Sequence, residues 1–185
     1  MYRTECLRLL NDSLSYLPIT IDPTARLSKT IRDMVYEAEC HGWITPKEAD
    51  FLFKKDPSVP YFYILPKIHK GISPPPGRPI VSGINSLLEP LSQFCDFFLQ
   101  PLVKSTSTYL QDTKEVLNMI KTINTEGNTT FLISLDVEAL YTSIPQDATL
   151  EVIEFELRQS NWESRTPIPF VGVCYYGPTR ELFPV

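Results

Sequence analysis

The sequence predicts an α+β fold, and three observations carry that reading. A helical stripe runs from Asp22 to Gly42. Two short runs rich in aromatic and β-branched residues, Val59 to Leu65 and Arg78 to Ser82, read as strands. From Pro90 onward the apolar residues return to helical spacing.

Each element has its own local reason. Asp22 is placed to cap the first helix and Pro23 to open it. Leu27, Ile31, Met34, Val35 and Ala38 then share one face before Gly42 ends the helix. Thr45 followed by Pro46 and Glu48 reads as a capping box, so a second helix should run to about Lys54 and form a hairpin with the first. The segment from Lys67 to Gly77, between the two strands, is a long basic loop stiffened by Pro74, Pro75 and Pro76. Leu91, Phe94, Cys95, Phe98 and Leu102 make a strongly apolar helix, and Asp112 with Glu115 opens another that ends near Ile123. Both need other elements to cover them.

Gly127-Asn128 marks a turn. The run from Phe131 to Val137 then reads as a central buried strand. After Ile144-Pro145, a helix over Thr149 to Arg158 would turn Leu150, Ile153 and Leu157 inward. Thr166 to Val185 shows no usable periodicity.

Composition bounds the function. The chain has 185 residues, 43% hydrophobic and 11% aromatic, enough to bury the core of one ordinary domain. No run has the roughly 18 to 20 apolar residues of a membrane span, and the start lacks the apolar stretch of a signal peptide. The expectation is an intracellular protein with no membrane partner, its compartment open between nucleus and cytoplasm. Cys6, Cys40, Cys95 and Cys174 lack the paired spacing of zinc sites or disulfide frameworks and read as reduced, mostly buried thiols. A formal net charge of -5 is unlike that of a dedicated nucleic-acid binder, so any phosphate site must be local.

One local reversal exists. From Lys54 to Arg78 the chain holds Lys54, Lys55, Lys67, Lys70 and Arg78 against Asp56 alone, a formal charge of +4. These are either solvated loop cations or a phosphate-facing surface. Tyr61, Phe62 and Tyr63 beside them fit base stacking and strand packing equally well. Asp136 is the second candidate, because a carboxylate closing an apolar strand must be paired, hydrogen-bonded or metal-bound, unless it caps the following turn. Glu138 would share its face in an extended strand. His41 and His69 have no partner at metal-ligand spacing.

Three ordered blocks bear a family likeness. They are Phe62-Tyr63-Ile64-Leu65-Pro66-Lys67-Ile68-His69-Lys70, then Pro76-Gly77-Arg78-Pro79-Ile80-Val81-Ser82-Gly83, and finally Ser134-Leu135-Asp136-Val137-Glu138-Ala139-Leu140-Tyr141-Thr142-Ser143-Ile144-Pro145. Together they resemble the first three blocks of a Penelope-like reverse transcriptase, and the likeness spans roughly Leu14 to Phe170. The resemblance implies the fingers of a right-hand polymerase with an incomplete palm. In the family that enzyme copies an RNA template from a DNA primer, using deoxynucleotide triphosphates and two magnesium ions.

On the matching positions, the resemblance makes Asp136 the first catalytic aspartate and a magnesium ligand, joined by the carbonyl of Val137. Tyr141 takes the place of the gate that excludes a ribose 2′-hydroxyl, and Arg78 that of the fingers arginine along the triphosphate. Lys67 and Lys70 are expected to help bind the nucleotide. The family's paired aspartates have no counterpart, since no Asp-Asp occurs in this sequence. The expected organisation is a helical region over 1–56, fingers and partial palm over 57–165, and a divergent tail over 166–185. That reading makes the chain a fragment, inactive alone, whose Phe131 to Val137 run lacks its partner hairpin. The alternative is a non-catalytic nucleic-acid-binding or interaction module.

Overall fold

The chain is seen in a computed structural model that describes residues 2–13, 15–123, 131, 133–137, 140, 144–160, 166–168, 170–172 and 174. It mixes helix and strand, as the α+β reading requires. In chain order the elements are α1 (Tyr2–Leu10), α2 (Thr24–Cys40), α3 (Pro46–Leu52), β1 (Tyr61–Pro66), a 3-10 turn (Ile68–Lys70), β2 (Gly77–Ser82), α4 (Glu89–Ser105), α5 (Thr113–Thr122) and α6 (Gln146–Gln159).

The helical half folds for the reasons its sequence offers. Asp22 Oδ1 accepts the Thr24 N–H at 2.9 Å and the Thr24 hydroxyl at 2.6 Å just ahead of α2, whose cap position is taken by Pro23 and not by the expected Asp22. At the other end Gly42, with φ +69°, lets its own N–H reach the Glu39 carbonyl and the Trp43 N–H reach that of Ala38, both at 2.9 Å. This left-handed closure satisfies carbonyls that the helix end would otherwise strand. The Thr45–Glu48 capping box forms in both directions: Glu48 N–H donates to Thr45 Oγ1 at 3.3 Å, and Thr45 N–H to Glu48 Oε2 at 2.6 Å.

The core gathers Ile31, Val35 and Ala38 of α2, Ala49 and Leu52 of α3, and Leu91, Phe94 and Cys95 of α4. A polar clip holds the α3–α4 side together. Lys54 Nζ donates to Asn85 Oδ1 and pairs with Glu89 Oε2, each at 3.2 Å, while the Asn85 N–H donates to the same Glu89 oxygen. Lys54 is therefore neutralised within the fold and does not belong with the other cations of the basic segment.

The structure corrects four expectations. The segment that shows no usable periodicity still reaches the core, because Phe170, Val171 and Cys174 are buried and Thr166 donates from Oγ1 to the Trp43 carbonyl at 2.9 Å. Phe170 packs edge-on to Phe94 and against Trp43, each ring pair 6.1 Å apart. The cysteines also divide. Cys95 and Cys174 are buried, but Cys6 is only half-buried and Cys40 is exposed. Beside the Cys95 thiol, hydrogen bonding and burial push the Cys174 thiol far up, so it stays protonated.

The third correction concerns the run expected as a central buried strand. Its described residues form no strand, and Phe131 and Leu135 are 80% and 93% exposed. An apolar run becomes a central strand only when neighbours supply hydrogen bonds and a cover, and the sheet consists of β1 and β2 alone among the described residues. The fourth is α5, whose Asp112 cap forms as expected but which buries no side chain. α6 behaves as its pattern requires, with Leu157 buried and Leu150 and Ile153 half-buried.

Candidate nucleic-acid interface

β1 and β2 pair antiparallel with Tyr61 opposite Ser82, Tyr63 opposite Ile80, Leu65 opposite Arg78 and Pro66 opposite Gly77. Pro79 faces Ile64 and Pro66 faces Gly77, and proline has no N–H to give. Both prolines therefore sit at pairs whose backbone groups point away from the partner strand, where a missing donor costs the ladder nothing. The outward N–H groups of Ile64 and Gly77 are taken by α1. Ile64 donates to the Tyr2 hydroxyl at 3.0 Å and Gly77 to Glu5 Oε1 at 2.9 Å.

That docking defines two unlike faces. Alternation puts Phe62, Ile64 and Gly77 on the face that α1 covers. Ile64 and Gly77 are buried, and Phe62 meets the edge of Tyr16 at 5.8 Å between ring centroids. A Cβ on Gly77 would lie 3.0 Å from Ile64 Cδ1 and 3.2 Å from Glu5 Cγ, so any side chain there would have to push those two back by a few tenths of an ångström, and glycine eases the close approach of α1. The sequence reading places α1 within an expected helical region over 1–56 but gives it no bounds and no partner. A signal that could have found it is the Glu5–Arg8 pair one turn apart, bonded at 2.7 and 2.8 Å.

Arg8 and the Gly77 N–H together hold the Glu5 carboxyl well down, to about 2 from its usual 4.5. The Arg8 part of that shift is local to α1, and the smaller Gly77 part favours the docked state above pH 4.5. The contribution is lost as pH falls through about 2.

The opposite face carries Tyr61, Tyr63, Leu65 and Arg78. Tyr61 is 60% exposed, Tyr63 is half-buried, and their rings lie 5.8 Å apart with planes tilted by 31°. Arg78 is exposed, and Lys67, half-buried, leaves the same end of the hairpin, where its N–H donates to the Pro76 carbonyl at 2.8 Å. Lys70 is exposed and closes the 3-10 turn, followed by Gly71 at φ +64°. The register thus brings Lys67 and Arg78 to one end of one sheet. The three aromatics that look alike in sequence separate into Phe62, packed inward, and two tyrosines turned outward.

Asp136 and Val137 lie elsewhere, both exposed, on the unpaired run. No hydrogen bond or ion pair reaches Asp136 from the described residues, and among them no group of three or more His, Cys, Asp or Glu could hold a metal ion. Magnesium demands about six oxygen ligands in near-octahedral geometry, and a single exposed carboxylate with one carbonyl does not assemble that shell. The described residues therefore do not fit a two-magnesium site. Tyr141 and Glu138 lie outside the described residues.

Comparison with known proteins adds no family: no protein-family profile, no curated protein and no solved structure matches this chain. Among the described residues, no helix is long and apolar enough to cross a membrane.

Proposed function

We propose that this chain supplies the fingers and the start of the palm of an RNA-directed DNA polymerase of the Penelope-like reverse transcriptase type. The observation that carries the reading is the ordered trio of blocks ending at Lys70, Gly83 and Pro145, of which the first two form the two strands of one hairpin. Their pairing brings Lys67 and Arg78 of a locally basic segment to one end of the sheet in an otherwise acidic chain. In this reading Arg78, Lys67 and Lys70 hold the phosphates of an incoming deoxynucleotide triphosphate, and Tyr141 screens its sugar. A guanidinium suits that task because it stays charged and offers donors in a planar fork.

Asp136, with the Val137 carbonyl, would be this chain's share of a magnesium site whose other carboxylates the sequence does not contain. Catalysis by two metal ions needs both held about 4 Å apart, which one aspartate does not do. We therefore expect the purified protein to give no primer extension above the level of an Asp136→Asn control. Extension that the control lacks would refute this division of the site.

The lone exposed Asp136 and the absence of any Asp-Asp favour a second reading, a nucleic-acid-binding module without catalysis. The two share the hairpin and part at the aspartate. Binding of a deoxynucleotide triphosphate that magnesium strengthens, and that Asp136→Asn weakens, supports the polymerase reading. Binding indifferent to both supports the module.

Either way the cations come first. Arg78→Ala should weaken binding of a primer–template duplex by roughly 10-fold at low salt and flatten the dependence of log Kd on log salt by about one ion. A variant that binds like the parent across a salt titration would remove the hairpin from the interface.

A further inference from the structure

We propose that the outward face of the hairpin is a stacking platform for single-stranded nucleic acid, with Tyr61 and Tyr63 receiving successive bases while Arg78 and Lys67 hold the flanking phosphates. The inference deepens the proposed function and rests on it for the phosphate contacts.

Three observations support it independently of the family likeness. The first is the register. Tyr61, Tyr63 and Leu65 alternate onto the face opposite α1, and Arg78 stands directly across from Leu65. Aromatic and cationic groups are therefore collected on one surface instead of being scattered around the hairpin. The second is the asymmetry of cover. α1 buries Ile64 and Gly77 and takes their outward N–H groups, whereas on the tyrosine face Tyr61, Leu65 and Arg78 stay exposed and Tyr63 half-buried, with only Ser82 buried at the far end. The third is charge. A chain of net charge -5 repels polyanions in general, so a polyanion that binds must do so where the charge is reversed, and Lys67, Lys70 and Arg78 supply that reversal.

The chemistry of the occupant follows from the surface. The outward tyrosine rings, Tyr61 exposed and Tyr63 half-buried, offer π-faces that every base can use, and they lie along a strand that rises about 3.3 Å per residue, or about 7 Å between alternate side chains. A single strand can splay its bases to match that spacing, whereas a duplex keeps its bases stacked inside. Phosphates alone would be served by the cations and would not call for aromatic rings. The platform thus predicts single strands over duplexes, little base preference, and a contribution from the bases themselves.

The test compares two fluorescently labelled single strands of equal length and charge, an oligothymidine and its fully abasic counterpart. Binding is measured by anisotropy at fixed salt. The parent should bind oligothymidine more tightly than the abasic strand. Tyr61→Ala and Tyr63→Ala should each weaken oligothymidine binding roughly 5- to 100-fold, the range of one lost base–aromatic stack, and leave abasic binding unchanged. Tyr61→Phe should bind like the parent, since the ring and not the hydroxyl does the stacking. Tyr36→Ala, which removes an exposed aromatic from α2, is a control that should change neither.

Equal binding of the two strands by the parent overturns the platform while leaving the phosphate contacts of the proposed function intact. Loss of both strands on Arg78→Ala with tyrosine variants like the parent has the same meaning. No binding of either strand by the parent overturns both readings. If a tyrosine variant weakens both strands equally, the residue only supports the hairpin, and the platform is withdrawn.

Discussion

Phe170→Ala is expected to destabilise the protein by about 3 to 5 kcal/mol, a large part of the roughly 5 to 15 kcal/mol that holds a typical domain together. Phe170 is 4% exposed and contacts the rings of Phe94 and Trp43. Truncation to alanine removes the buried ring and leaves a cavity that α2 and α4 cannot close without moving. Urea unfolding followed by tryptophan fluorescence reads the change directly, since Trp43 lines the same cavity. Phe155→Ala makes the comparison, because that ring is 58% exposed on α6 and its loss should cost less than about 0.5 kcal/mol. Equal midpoints for the two variants would mean that residues 166–174 do not belong to the cooperative core.

A second large effect should appear in hydrogen exchange. The amides of Ile133 to Val137 take part in no sheet, and their side chains are exposed, so they should exchange near the rate of an unstructured chain. Those of Ile31, Val35 and Ala38, inside α2 and at the centre of the core, should be slower by several orders of magnitude. Comparable protection in the two regions would show that the apolar run has found a cover, in solution, that its described surroundings do not offer.

What is legible in the sequence is what short-range chemistry decides. Asp22, Gly42 and the Thr45–Glu48 box each act within about four residues, so the residue types and their spacing alone identify them. The hairpin is legible too, because aromatic and β-branched runs on either side of a proline-rich loop have few other ways to fold. The failures share the opposite property. α1 is held by two side chains that reach residues more than sixty positions away, and nothing local marks Tyr2 or Glu5 for that role. Thr166 bonds to Trp43 across more than a hundred residues. The run at Phe131 misleads for the same reason in reverse: an apolar run states a need for partners without stating that they exist.

The candidate site divides along that line. Lys67, Lys70 and Arg78 are identifiable from local charge, and the shared position of Lys67 and Arg78 follows from the strand register. Asp136 is identifiable as a costly charge only if its strand is buried. In the structure it stands in solvent, so the energetic argument for a bound metal does not apply to it as it stands. The division of labour between Tyr61, Phe62 and Tyr63 needs the register and the placement of α1, neither of which composition contains.

The two prolines of the hairpin have a consequence for how copies of this chain meet one another. A strand edge recruits another strand through its free N–H and C=O groups. Here, of the outward positions, Pro66 and Pro79 have no hydrogen to offer and the amides of Ile64 and Gly77 are already bonded to Tyr2 and Glu5, which leaves one outward amide on each strand, that of Phe62 and that of Val81. Intermolecular β-addition that runs beyond Phe62 or Val81 would have to displace a helix or skip a rung. The vulnerable segment is instead Phe131 to Val137, apolar, free of proline and without a charge before Asp136. In concentrated solution, self-association should therefore begin at the segment whose described residues join no sheet and spare the one already paired.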